Sequence, residues 1–357
     1  MRIKDILQNT NFSRQDIIEL LSITDNSDLE LLRAAAENQL LSKRGNRVYF
    51  RGLVEFSNVC SCDCFYCGIR KSNRSVNRYI LSKQQIADAA LWCADQGYGS
   101  VVLQSGERND GTFIDFVEDI VATIKEKSKS ATLPGGMGIT LCVGEQTEET
   151  YRRFFNAGAH RYLLRIESTN PELFASIHPS DQKLGRRIEC LRMLKKIGYR
   201  TGTGVMIGVP GQTMENLADD ILFFKSIDAD MIGMGPYIVH SQTPMAQYSA
   251  EIKNRAEEIF LLSLKMIAVT RLVLKDVNIA ATTALQSMKH DGREQGLRFG
   301  ANVIMPQLTP TEVRKEYLLY EGKPCLDENA EQCRNCLTGR ISSVGREIGY
   351  NEWGDRG

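Results

Sequence analysis

The chain reads as an α/β protein, most simply a complete (β/α)8 barrel with helices before it and a cysteine-bearing extension after it. Three observations predict this. Eight β-type segments alternate with amphipathic stretches of helical length, the pattern of a parallel sheet joined by crossover helices. A cysteine-rich loop follows the first segment and further polar groups gather at the ends of later ones, where barrel enzymes carry their chemistry. Finally, 357 residues suit one such barrel with additions. A doubly wound open sheet is the competing topology.

Residues 1–50 are expected to form a helical extension. Ser13 is a natural N-cap, with Asp16 three residues on, before Ile17, Ile18, Leu20 and Leu21; Ser27 with Glu30 makes a second capping-box pattern. The expected barrel spans 51–320, with strands at 52–56, 100–104, 138–143, 161–166, 201–207, 231–238, 278–283 and 302–305. Between them, 82–95, 185–197, 215–224 and 254–274 carry helical apolar stripes. Residues 321–357 form the extension.

Composition narrows the function. Lys plus Arg and Asp plus Glu both number 44, so no electrostatic footprint for nucleic acid or an anionic membrane is present. No apolar run reaches the roughly 18 residues of a membrane span. The start, Met1-Arg2-Ile3-Lys4-Asp5, lacks the apolar core of a secretion signal. Ten cysteines without such a signal point to the cytoplasm, where thiols stay free for metal.

The informative string is Cys60-Ser61-Cys62-Asp63-Cys64-Phe65-Tyr66-Cys67. Cys60, Cys64 and Cys67 form C-x3-C-x2-C, three thiolates without a fourth in register. Iron–sulfur cubanes that only carry electrons take four cysteines; three leave one iron open to a small molecule. Zinc frameworks more often show two C-x2-C pairs, or one pair with two histidines. Cys62 falls off the pattern as a spare thiol.

Later strand ends supply candidate partners. Gln104-Ser105-Gly106-Glu107 combines small residues, which let backbone approach a ligand, with a carboxylate that can receive an ammonium. In Arg161-Tyr162-Leu163-Leu164-Arg165-Ile166-Glu167, alternation puts Arg161, Leu163, Arg165 and Glu167 on one face. Charges there are costly unless paired or ligand-bound. The glycine-rich fifth segment contains Met206 and is no dinucleotide fingerprint, because no helix opens within it.

The three-cysteine loop with these strand ends resembles the radical S-adenosylmethionine (SAM) superfamily. Phe56-Ser57-Asn58-Val59-Cys60, Gln104-Ser105-Gly106-Glu107, Pro210-Gly211-Gln212-Thr213, Ala281-Thr282-Thr283-Ala284 and 300–306 are similar to the FeFe-hydrogenase maturases of the HydE type, over nearly the whole chain. The resemblance implies a 4Fe–4S cluster on Cys60, Cys64 and Cys67 and reductive cleavage of SAM to a 5′-deoxyadenosyl radical. It implies SAM contacts at Tyr66, Gln104, Ser105, Gly106, Glu167, Arg187 and Met206, and an anion- and substrate-binding region at Arg51, Arg161, Thr282 and Thr283. It also implies an organometallic iron–cysteine–CO–cyanide substrate for the two-iron subsite, supplied by a companion radical SAM enzyme, with the product passing to a scaffold GTPase. A flavodoxin or ferredoxin would be the reductant. The chain departs from the family pattern at Ile166, where a histidine is expected. Cys325, Cys333 and Cys336 are placed like the family's auxiliary iron–sulfur cluster, with zinc and free thiols as alternatives. A radical SAM mutase similar to 3-methylornithine synthase and a biotin-synthase-like enzyme are rival readings; a non-catalytic iron–sulfur or zinc protein is the rival from another class.

Overall fold

The computed structural model describes residues 2–356. Its sheet has eight parallel strands in chain order: Arg47–Ser57, Ser100–Ser105, Gly138–Cys142, Arg161–Leu163, Arg200–Thr203, Met231–Ile232, Asn278–Ile279 and Val303–Ile304. The sheet curls: the eighth strand pairs with the first, Tyr49 with Val303 and Phe50 with Ile304. On its other side the eighth strand meets the seventh through Asn302 N–H to Ile279 O and Ala281 N–H to Val303 O, both 2.9 Å. All ladders are parallel because a helix returns the chain between strands.

The first strand starts at Arg47, five residues before the expected start at 52, because its first two residues pair with the late strand Glu347–Ile348. That pairing is non-local and leaves no trace in periodicity. The fifth segment divides. Arg200–Thr203 stays in the main sheet, whereas Met206–Ile207 pairs with Gly235–Pro236. Close approach at the break explains it, since a Cβ on Gly204 would meet Gly233 O at 2.0 Å.

Capping residues set helix starts. Ser13 and Asp16 form the expected capping box. The next helix, Asn26–Arg44, is capped by Asp25 rather than Ser27: the Asp25 carboxylate accepts from Ser27 N at 2.8 Å and Asp28 N at 3.1 Å. Ser82 caps Lys83–Asp95 with Gln85. The helix Ala256–Leu274 is buried almost all round, which a single apolar stripe cannot produce. The N-terminal helices cover its outer face, and Lys265 Nζ donates to Ile23 O at 2.9 Å. No helix among the described residues is long and apolar enough to cross a membrane.

Alternation along the first strand turns Arg51, Leu53 and Glu55 into the sheet's interior, while Phe50, Val54 and Phe56 join the helix-side core. Arg51 precedes the strand's last residue by six positions, about 20 Å at the usual rise. Depth inside the sheet is therefore set by place in the strand.

Candidate active site

A cavity of about 350 Å³ lies where the strands end. Cys60, Cys64, Cys67 and Tyr66 from the loop, Gln104, Ser105 and Gly106 from the second strand, and Glu167, Arg187, Met206, Thr282 and Thr283 from later segments all line it.

The loop is held by polar anchors rather than regular structure. Buried Asn58 accepts from Tyr79 N at 2.8 Å and donates to Glu316 O at 2.7 Å and Asn77 O at 2.8 Å. Arg78 donates to four loop carbonyls, those of Asn58, Ile69, Arg70 and Asn73. Gly106 lets the second strand touch the loop: a Cβ there would meet Val59 O at 2.4 Å.

Cys60 Sγ accepts from Cys62 N at 3.4 Å and Glu107 N at 3.3 Å. The Cys62 thiol and these N–H groups outweigh burial and lower the Cys60 pKa, favouring thiolate. Burial pushes Cys64 up to about 12 against the pull of Arg187, and raises Cys67 well above the usual thiol range. The three thiols share a wall without converging: among the described residues no three His, Cys, Asp or Glu side chains form a ready metal cage. The donor set still suits an iron–sulfur cluster better than zinc. Its sulfurs receive N–H donors of the kind that tune such clusters, and the Cys62 thiol lies between Cys60 and Glu107, 3.2 Å from Glu107 Oε1.

Glu107, the carboxylate that closes the Gln104-Ser105-Gly106-Glu107 motif, joins two segments of the site without being among the expected SAM contacts. Its Oε2 accepts from Glu145 N at 2.8 Å, and its backbone carbonyl accepts from Ser61 N at 2.8 Å. Gly144 makes room for it, since a Cβ there would meet Glu107 Oε2 at 2.2 Å. Buried Arg187 pairs with Glu145 at 2.5 Å and donates to Arg165 O at 2.6 Å. Burial opposes its charge, but Glu145 more than offsets that. Glu167 sits at φ 64°, a left-handed conformation uncommon outside glycine. Its N–H to Gly204 O at 3.0 Å and its carboxylate on Arg165 at 2.9 Å hold it there. Ile166 is buried on the opposite face, so this departure from the family pattern leaves the cavity wall unchanged.

The expected substrate group of four residues is not brought together. Thr282 and Thr283 line the cavity; Arg51 and Arg161 lie at the other end of the sheet, around a gap of only about 10 Å³. The residues that follow the last strand fill that end. Arg161 Nε donates to Asp355 Oδ1 at 2.6 Å, its Nη2 donates to Trp353 O and its Nη1 to Ser100 Oγ at 3.0 Å. Arg51 Nη2 and Asn278 Nδ2 both reach Gly354 O, at 3.3 and 2.8 Å. The physical reason is position: Arg161 opens its strand and Arg51 lies in the N-terminal half of its own, both away from the cysteine loop.

The C-terminal thiols are also only partly assembled. Cys325 and Cys333 lie close enough to shift each other, Cys325 upward and Cys333 downward, whereas exposed Cys336 accepts from Arg340 Nε at 3.4 Å.

Tyr66 rests edge-on against His178, ring centroids 5.5 Å apart. Burial lowers His178 to about 4, so the ring is neutral at pH 7. A carbonyl only accepts, so Nδ1, 2.9 Å from Phe174 O, carries the proton, leaving Nε2 to accept from Tyr66 Oη at 3.4 Å. The folded pKa lies below the unfolded value of about 6.5, so the unfolded chain binds more protons between them and stability falls as pH drops through that window. His178→Gln is expected to remove about 2 kcal/mol of the loss between pH 6.5 and 4.5. Urea unfolding at the two pH values checks this; an unchanged loss would mean that His178 is not the titrating group.

Residues 54–224 match the model of the radical SAM superfamily. The chain is 41% identical over 355 residues to the [FeFe] hydrogenase maturase subunit HydE of Thermotoga maritima, covering 99% of this chain and 97% of that protein. It is 26% identical over 342 residues to 3-methylornithine synthase of Methanosarcina acetivorans, covering 96% and 92%. Among solved structures, methylornithine synthase superposes with TM-score 0.79 at 22% identity, covering 98% of this chain and 97% of that one. HydG, a maturase of the [FeFe]-hydrogenase, superposes with TM-score 0.78 at 17% identity, covering 98% and 74%; these two likenesses concern the fold. Taken with a single cavity that joins the three loop cysteines to the strand ends, the match along the full chain places this protein in the HydE family of radical SAM enzymes.

Proposed function

We propose that this enzyme acts in maturation of FeFe-hydrogenase, on an iron–cysteine–CO–cyanide precursor of the two-iron subsite. The observation that carries the reading is the shared cavity: three loop thiols at its mouth and two threonine hydroxyls on its wall. Cys60, Cys64 and Cys67 would hold a 4Fe–4S cluster. Tyr66, Gln104, Ser105, Gly106, Glu167, Arg187 and Met206 would hold SAM, and the sequence match to HydE supports both assignments. When bound, the cluster supplies the electron that cleaves SAM to a 5′-deoxyadenosyl radical.

The protein's own residues then orient and shield. Glu107 and Gly106 tie the second strand to the loop. Apolar Leu163, Ala281 and Met305 on the cavity wall limit water near a reactive radical. Thr282 and Thr283 would contact the substrate; Arg51 and Arg161, expected to do so, instead hold the segment 353–355. The hydrogen bonds between the seventh and eighth strands support a complete (β/α)8 barrel. Any auxiliary metal would rest on Cys325 and Cys333, since Cys336 faces Arg340. A companion radical SAM enzyme, a scaffold GTPase and a flavodoxin or ferredoxin in the cytoplasm complete the proposal.

The test is anaerobic. The reconstituted, reduced protein is expected to form 5′-deoxyadenosine from SAM and to restore hydrogenase activity in a maturation mixture lacking only HydE. SAM cleavage without restored hydrogenase would sink the maturation role and favour the mutase reading, which likeness to 3-methylornithine synthase supports.

A further inference from the structure

Arg293 is only 3% exposed, in the helix Gly292–Arg298 just past the seventh strand. Its guanidinium makes one hydrogen bond, Nη2 to Thr283 Oγ1 at 2.8 Å, while Nε and Nη1 find no partner. No ion pair among the described residues includes it. A buried charge without a counter-ion is costly, and guanidinium cannot shed its proton to escape that cost. Three other arginines near the sheet's interior have counter-ions: Arg187 pairs with Glu145, Arg165 with Glu167 and Arg161 with Asp355; Arg51, at the far end of the sheet, has only neutral acceptors, Gly354 O and Met231 Sδ.

The single bond it makes has a direction. Guanidinium only donates, so it takes an acceptor site on the Thr283 hydroxyl and leaves that hydroxyl's proton to be given elsewhere. Thr283 lines the cavity. Beside it, Thr282 Oγ1 is buried without a partner. Gly235 faces it closely enough that a Cβ would meet that oxygen at 2.6 Å, so the hydroxyl's space depends on glycine. Two donors with a positive charge behind them suit a small anionic acceptor.

We propose that Arg293 is the positioning residue of an anion cradle, fixing the Thr283 hydroxyl as a donor into the cavity and supplying the charge behind it. This rests on the reading that an anionic substrate enters the cavity; the acceptor would be its cyanide or carboxylate group. Arg293 also faces Cys325 and Cys333 electrostatically, so the test must separate a role toward those thiols.

Azide serves as the probe, a linear monoanion whose infrared stretch moves on accepting a hydrogen bond, added to reconstituted protein with SAM bound. Wild type is expected to show a saturable, shifted azide band. Arg293→Met should weaken azide at least tenfold, Thr283→Val should do the same, and the double variant should add little. Arg293→Lys, which keeps a donor and the charge, should recover most of the affinity and carries the test if the methionine variant does not fold. Absence of a bound band in wild type overturns the proposal, as do wild-type affinity in Arg293→Met, affinity in Arg293→Lys as weak as in Thr283→Val, or losses that multiply in the double variant. A change confined to thiol reactivity at Cys325 and Cys333 overturns it as well. Azide binding requires neither SAM cleavage nor hydrogenase, so failure of the maturation reading would show separately in those two assays.

Discussion

Replacing Cys60, Cys64 or Cys67 with alanine is expected to take 5′-deoxyadenosine formation from SAM below detection, whereas Cys62→Ala keeps most of it. The three thiols line the cavity together with the groups assigned to SAM, and a cluster that has lost one of three protein ligands has no substitute nearby. Cys62 also lines the cavity, but its sulfur points to Glu107 Oε1 at 3.2 Å. Its removal costs a thiol hydrogen bond, about 1 kcal/mol of folding stability, and leaves all three cluster thiols in place. Iron content and the reduced-cluster spectrum, measured beside product, separate cluster loss from misfolding. Equal loss of activity in Cys62→Ala and Cys64→Ala would show that the ligand register is wrong.

The second large effect is on stability. Arg161→Met is expected to cost about 3 kcal/mol, because removing one partner of a buried ion pair strands the other. Asp355 would keep His160, at 3.3 Å, as its direct partner, a ring whose charged form burial disfavours. Trp353 O would lose the donor Arg161 Nη2, retaining Ser100 Oγ at 3.0 Å. Adding Asp355→Leu should recover part of the loss by removing the stranded charge. Urea unfolding of the single and double variants measures both effects. If Arg161→Met unfolds like wild type but no longer matures hydrogenase, Arg161 contacts substrate after all and the anchoring role fails.

These cases show where sequence reading reaches and where it stops. The capping box at Ser13 and Asp16 was legible because its partners are three residues apart. Asp25 was missed as the next cap because Ser27 with Glu30 presented the same pattern two residues later, and side-chain reach decided between them. Glu107 stands inside a legible motif, yet its side chain meets Cys62 and Glu145, 45 and 38 residues away. Arg293 carried no local signal at all. Its meaning comes from one bond to Thr283 and from partners it lacks.

By itself, the amino-acid sequence determined the alternation of strands and helices, the three-cysteine loop after the first strand and the strand ends that face it. These depend on periodicity and spacing, which are local properties of a chain. Tertiary structure alone decided which interior residues share a cavity. Arg51 and Thr283 both occupy interior positions, but one stands near the start of its strand and the other just beyond the end of its own. The segment 353–355, remote in sequence, closes over the first, while the cavity receives the second. Depth along a strand and the path of the following chain separate them, and neither is written in the pattern of residue types.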